Sequence, residues 1–343
     1  MKKIRLLTSM ILVGTMCMSG CGAGESENIF TATEKMAQQY MTLGNYEGLE
    51  LTKYITPVSE EDVELAREEF MEDYSVETEI TDRAIQAGDL VNTNLTYEED
   101  GTQEDYGELA ITIGEEEISA QVDEELTGHN VGDTVSVVDD SDGTVVTYTF
   151  EILGITEVSC PEYNDDFVKE NTEYSSTAEF EAYLADKVAK ENDENSVEEL
   201  RDSALSAVVE ASEYKDFTKK MKAVSCEEVK KSYEDYAAMF GMELSDVISD
   251  EDLESCAVLN IQEKLAVQAL VKAENITKDE ADYQEFLNSY MEYFEVSTED
   301  ELYESYTKEE LEELYYREKA LDKVIEKAKV TEEEAAEEIE EEE

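Results

Sequence analysis

The chain has 343 residues, with 90 Asp or Glu against 26 Lys or Arg and a formal net charge of −64. So negative a surface argues against nucleic acid and against a bare anionic bilayer as docking partners, because both are polyanions. The length suffices for two or three domains, and the acids interleave with apolar-periodic segments, the pattern of a folded chain with a solvated acidic surface.

The first segment reads as an address. Lys2, Lys3 and Arg5 form a basic start, and Leu6 to Met18 is apolar but too short to span a bilayer. Met18-Ser19-Gly20-Cys21 follows and resembles the lipobox of bacterial lipoproteins. That resemblance implies cleavage before Cys21 and its acylation (two chains, palmitate-like), with Gly22 to Asn28 as a tether. Two acyl chains anchor stably where one does not. Of the other cysteines, Cys17 leaves with the signal. Cys160, Cys226 and Cys256 are odd in number and lack metal-ligand spacing, so neither a disulfide framework nor a zinc site is expected.

Asn28–Leu43 carries a weak helical face of Ile29, Met36, Ala37, Tyr40 and Met41. A Gly-containing connector, Leu43–Leu51, comes next. Ser59-Glu-Glu-Asp62 is a helix-start signature, and Val63, Ala66, Phe70 and Tyr74 give that helix one apolar face. From Arg83 to Val158 the period drops to two. Leu90–Tyr97 alternates, Asp100-Gly101 is a tight-turn dipeptide, Leu109–Ile113 and Thr134–Val138 are short strands, and Thr144–Val158 is a longer one. This is a half-buried antiparallel sheet with one short helix.

After Val158 the period returns to 3.6. Ser176-Thr-Ala-Glu179 starts a helix with Phe180, Tyr183, Leu184 and Val188, and Val197–Ser212 reads as a separate one. Ser225-Cys-Glu-Glu228, Ser249-Asp-Glu-Asp252, Thr277-Lys-Asp-Glu280 and Thr307-Lys-Glu-Glu310 each read as a further helix start. Thr331–Glu343 is almost all glutamate and reads as a frayed helix end or solvated tail. Two prolines and no tryptophan agree with long helices.

The order of turns in Arg83–Val158, the connectors around Leu43-Gly-Asn-Tyr46 and Cys160-Pro161, and two helices resemble trigger factor over roughly Leu43–Lys329. Those helices are Leu265–Thr277 and Glu318–Val330. The resemblance implies an α+β chain: a small antiparallel FKBP-like sheet domain inserted beside a mainly helical chaperone domain with arms. The expected plan is signal peptide 1–20, lipidated N-terminus and tether 21–42, linker and helix 43–82, FKBP-like domain 83–158, helical chaperone domain 159–330 and acidic tail 331–343. Residues 52–74 are expected to pack with 166–329. The family's ribosome-binding domain is not matched, and a signal segment stands in its place.

The resemblance also implies prolyl isomerisation, a barrier of about 18–20 kcal/mol lowered by shape and desolvation in an aromatic-lined pocket. Gly88, Asp89, Val91, Asp100, Gly101, Gly114, Leu126, Gly128 and Gly132 keep the scaffold, but the pocket positions are eroded: Leu95 stands where an aromatic is usual. A remnant pocket would be lined by Leu95, Tyr106, Ile118, Val122, Tyr148 and Phe150. The implied function is an extracytoplasmic, membrane-anchored folding factor whose partners are unfolded or newly exported polypeptides, with neither nucleic acid nor ribosome. Alternatives are an active isomerase and a non-enzymatic lipoprotein adaptor for one partner. No cofactor or metal is expected: His129 is the lone histidine, and Asp139, Asp140 and Asp142 lack the rest of a calcium loop. Aromatic and Met clusters exceed what one core stripe needs, and Tyr236, Met239, Phe240, Tyr290, Met291 and Phe294 are the expected client-binding residues.

Overall fold

The computed structural model describes residues 30–99, 101–139, 145–294 and 296–335. It is an α+β chain whose described residues fall into two compact units, one spanning Val58–Ala189 and one combining Phe30–Pro57 with Lys190–Ala335. The signal segment, Cys21, Asp100, Asp140, Asp142 and Gly143 lie outside the described residues.

The chain opens in the second unit with α1 (Glu34–Tyr40), β1 (Met41–Thr42) and β2 (Glu50–Ile55). The first unit then holds α2 (Glu60–Glu72), β3 (Val76–Glu79), β4 (Asp89–Glu99), β5 (Thr102–Thr112), α3 (Ala120–Leu126), β6 (Thr134–Asp139), β7 (Val146–Ser159), α4 (Asp165–Asn171) and the start of α5 (Thr177–Ala211). The second unit resumes with the rest of α5, β8 (Glu213–Tyr214), α6 (Lys219–Met239), α7 (Leu244–Val247) and α8 (Asp250–Ala273). It ends with α9 (Glu280–Tyr293), α10 (Glu299–Ser305), α11 (Lys308–Lys327) and β9 (Lys329–Glu334). Among the described residues no helix is long and apolar enough to cross a membrane.

In the first unit the sheet order is β3-β7-β4-β5, with β6 also on β7 and every pairing antiparallel. The sheet therefore begins at Val76, ahead of the expected Arg83. Its inner face buries Val91, Leu95, Ile111, Phe150, Ile152 and Ile155 against Val122 and Leu126 of α3. Strict alternation along β7 would not bury both Ile152 and Ile155. The register shift at Asn92/Thr93 inserts an extra residue there, which returns Ile155 to the core. The turn into β4 is pinned by Asp89, whose buried carboxylate accepts Arg83 N–H bonds at 2.6 and 2.8 Å and the Gln86 N–H at 2.8 Å. The Arg83 guanidinium holds that carboxyl below its usual range. Beside the sheet, Val63, Ala66 and Phe70 of α2 pack on Val168 of α4 and on Phe180 and Leu184 of α5.

In the second unit one core joins α1, α5, α8 and α11 through Ala37, Leu200, Val208, Ile261, Leu265, Leu270, Leu321 and Val324. Several sequence expectations change here. The two helices read from Ser176 and Val197 are one 35-residue helix, α5. The polar run between them breaks the apolar stripe but contains neither Gly nor Pro, so the backbone hydrogen bonds continue. Ser225 is not a cap: α6 starts earlier at Thr218, and the buried Ser225 Oγ donates to the Ala257 carbonyl of α8 at 2.8 Å. The cap of α9 is Asp279 rather than Thr277. Ser59, Ser249 and Thr307 do cap α2, α8 and α11. The start of the expected acidic tail is β9, paired in parallel with β2 from Glu50↔Lys329 to Ile55↔Glu334. Its Lys-Val-Thr-Glu-Glu-Glu sequence has no apolar alternation, so backbone pairing alone makes it a strand.

Two polar clusters close this unit. Phe30 is buried, its N–H donating to Glu228 Oε2 at 3.0 Å and its carbonyl accepting from Lys264 Nζ at 3.0 Å. Lys264 also meets Glu228 at 2.6 Å, and Asn260 Nδ2 donates to the same carboxylate at 3.0 Å. Between α5 and α11, Arg317 bridges Glu198 (2.6 Å) and Asp202, while Arg201 holds Asp322 at 2.9 Å and approaches Glu318 at 3.6 Å. Acids outnumber cations at this seam. Burial pushes Glu263 up to about 7, against the pull of Arg317, and pushes Glu318 up to about 7 likewise.

Two outcomes are expected. Phe150→Ala empties the centre of the sheet core and lowers the stability of that unit by about 3–5 kcal/mol in urea unfolding. A carboxyl with a raised folded pKa holds its proton more tightly when folded. Its stabilisation is complete below the unfolded value of about 4.3 and is lost as pH rises through the folded value. The stability of the natural chain relative to Glu263→Gln therefore falls by about 3–4 kcal/mol between roughly pH 4 and pH 8, and is level above that.

Candidate functional site

Five of the six remnant-pocket residues come together, but as packing. Leu95, Val122 and Phe150 are buried in the sheet core, with Ile118 and Tyr148 half-buried against it. Leu95 on β4 pairs with Phe150 on β7, and Val135 of β6 lies across from Phe150 on its other side. Tyr148 stacks on Phe150 with ring centroids 6.1 Å apart. These side chains fill the space between the sheet and α3. Tyr106 is not among them: it is 57% exposed, at the irregularity where Gly107 pairs with Leu95 and Asp105 with Thr96.

A depression of about 570 Å³ lies elsewhere on the sheet, lined by Asn92, Thr93, Glu108, Leu109, Ala110, Leu153 and Gly154. It sits at the second irregularity, where Asn92 pairs with Gly154 and the register then shifts. His129 Nδ1 is 3.5 Å from Asp133 Oδ2 on the surface, held in a turn rather than aimed at a cleft. Among the described residues no group of His, Cys, Asp and Glu is placed to hold a metal ion.

The six candidate client-binding residues divide into two environments. At the end of α6, Met239 is 73% exposed, Phe240 42% and Met242 45%, with Tyr236 half-buried and 5.0 Å from Phe240 between ring centroids. The backbone explains the exposure. Gly241 takes φ +64°, its N–H bonds to the Ala238 carbonyl, and the Met242 N–H bonds to the Ala237 carbonyl. This glycine-dependent helix stop turns the chain so that Met239 at the helix end and Phe240 and Met242 just beyond it are all left exposed. Acids flank the tip on both sides, Glu234 and Asp235 before it and Glu243 and Asp246 after it.

Tyr290, Met291 and Phe294 on α9 are instead half-buried against Phe286, Leu287, Leu302, Tyr306, Leu311 and Tyr315. Tyr290 is 4.5 Å from Phe286 and Phe294 is 5.5 Å from Tyr306 between ring centroids. Burial raises the Tyr290 hydroxyl well above its ordinary pKa. The exposed aromatic of this helix is Tyr293, at 73%, which is not among the six expected residues. Spacing does not single it out: Tyr293 stands at i+7 from Phe286 and i+3 from Tyr290, so packing rather than helical phase leaves it exposed.

No family model matches the chain. The trigger factor of Caldicellulosiruptor saccharolyticus is 27% identical over 202 residues, which cover 55% of this chain and 46% of that protein. The trigger factor of Lachnoclostridium phytofermentans is 25% identical over 276 residues, covering 73% and 63%. A solved structure, reported for promiscuous substrate recognition in folding and assembly activities of the trigger factor chaperone, covers 83% of this chain and 72% of that one, with 21% identity and a TM-score of 0.40. The chain thus spans about half to just under two thirds of the length of these two relatives and is similar in sequence to trigger factors over more than half of its own.

Proposed function

We propose that this chain is a protein-folding factor of trigger-factor type, anchored at the outer face of a membrane by acylated Cys21. It holds unfolded or newly exported polypeptides. The observation that carries the reading is the exposed Met239-Phe240-Gly241-Met242 tip on an acidic helical unit. Methionine and phenylalanine offer an adaptable apolar surface that accepts many sequences weakly. The surrounding carboxylates keep that surface soluble and favour basic clients. The similarity to trigger factors supports the same reading, and the Met18–Cys21 lipobox supports the anchor.

Its mechanism is holding rather than bond making. Weak contacts at the tip compete with client self-association while leaving the client free to fold. No residue is assigned to catalysis, because Leu95, Val122 and Phe150 are consumed by the sheet core. A prolyl substrate would have to displace them.

The soluble chain from Gly22 is expected to suppress aggregation of a chemically denatured basic protein. The triple variant Met239→Ser, Phe240→Ser, Met242→Ser should lose that suppression several-fold with unchanged circular dichroism. Exchange spectroscopy on a prolyl peptide should show no catalysed cis/trans exchange; catalysed exchange would transfer the reading to an isomerase, and neither activity would favour a dedicated-partner adaptor. In cells, Cys21→Ala should abolish labelling by a fatty-acid analogue and release the chain from the membrane fraction.

A further inference from the structure

We propose that the outer edge of β9 is a docking site for an extended basic polypeptide segment, which adds to the β2–β9 pair as a third strand. The proposal rests on the reading that the chain holds unfolded polypeptides, and it places a second contact apart from the α6 tip.

β2 and β9 form a sheet of only two strands, paired in parallel. Such a pair is the least self-sufficient form of sheet, and a third strand stabilises it. The register shows which backbone groups are spent. The Lys329 N–H bonds to the Leu49 carbonyl at 2.7 Å and the Ala335 N–H to the Ile55 carbonyl at 2.9 Å. Alternation then turns Thr331 and Glu333 towards β2 as well, and the Thr331 hydroxyl donates to the Leu51 carbonyl at 3.4 Å. The backbone groups of Val330, Glu332 and Glu334 point the other way, along an edge whose six residues are all exposed. Val330 presents an exposed apolar side chain there, and Tyr54 and Ile55 do so on β2.

Charge selects the occupant. β9 carries Glu332, Glu333 and Glu334, and its one cation, Lys329, is 3.4 Å from Glu50. On β2, Lys53 is paired with Asp193. A second copy of the same edge would bring like charges opposite one another, which is how edge strands are kept from self-pairing. Alternation puts Val330, Glu332 and Glu334 on one face of β9 and Thr331 and Glu333 on the other, so the Lys or Arg side chains of an added alternating strand lie beside Glu332 and Glu334 on the face that also carries Val330. Main-chain bonds supply sequence-tolerant affinity in this mode of recognition, and alternate side chains supply the preference.

The probe is a fluorescein-labelled peptide of alternating Lys and Val, followed by anisotropy against the soluble chain from Gly22. Binding is expected, weakening with salt. Glu332→Pro removes an outward N–H without touching the bonds to β2, and should reduce affinity at least ten-fold. Glu332→Ala keeps the backbone and should lose less, while the Met239/Phe240/Met242 triple serine variant should bind the peptide as the natural chain does. Equal binding by Glu332→Pro, or loss of binding in the tip variant, overturns the edge site. So does a concentration-dependent dimer that Glu332→Pro dissolves, since the occupant is then a second copy. Aggregation suppression separates the two claims. Suppression without edge-dependent peptide binding sinks this site and leaves the folding-factor reading standing; edge-dependent binding without suppression does the reverse.

Discussion

Arg317 lies between Glu198 and Asp202 where α11 meets α5, and the closure of the second unit depends on that arrangement. The chain carries far more carboxylates than cations, so wherever helices approach, a cation must be placed at the contact or a carboxyl must keep its proton. Both solutions occur within one seam. Arg317 and Arg201 neutralise Glu198, Asp202 and Asp322, and burial raises Glu263 and Glu318 towards neutrality. A buried ion pair earns little net stability by itself, but removing one partner from such a network is costly. The seam is therefore a constraint on sequence more than a source of stability. It leaves the apolar layer of Leu200, Leu265, Leu321 and Val324 to supply that.

The same scarcity of cations organises the rest of the unit. Lys264 bridges Phe30 and Glu228, Lys327 holds Glu274 at 2.6 Å, and Lys319 holds Asp282 at 2.8 Å. Lys219, Lys220, Lys222 and Lys231 stay exposed on α6, but carboxylates outnumber cations over the rest of the surface, which is acidic with isolated apolar points. That combination repels other copies and polyanions while leaving Met239, Phe240 and Tyr293 open to a chain of opposite character.

Much of the fold was legible because it is written locally. Ser59, Ser249 and Thr307 cap helices through residues three positions on, and the sheet strands show themselves by alternation. What was not legible depends on partners distant in sequence. Ser225 looks like a cap until its hydroxyl is seen to bond Ala257, and Lys329 and Val330 look like a helix end and Thr331–Glu334 like a frayed tail until β2 is beside them. Gly44 reads as a loop residue, yet a Cβ there would stand 2.0 Å from the Ala211 carbonyl oxygen. The candidate site divides the same way. That Leu95, Val122 and Phe150 meet in one core could not be read locally: strand register brings Phe150 to Leu95, and the packing of α3 brings Val122 to both. Composition flagged both aromatic clusters equally; only packing separates the exposed α6 tip from the half-buried face of α9.

Phe30 gives the molecule a mechanical character. Its backbone is gripped by Glu228 of α6 and Lys264 of α8, with Asn260 bracing the same carboxylate. Tension arriving along the chain from its N-terminal side is taken up first at that grip, before it can reach α1 or the β1–β8 pair. The load then passes into α6, the helix that ends in the Met239–Met242 tip. Glu228 stands at the middle of α6 and Lys264 on α8, so the grip clamps the leading segment to the body of a helix pair and leaves the last turns of α6, with Met239, outside the loaded span.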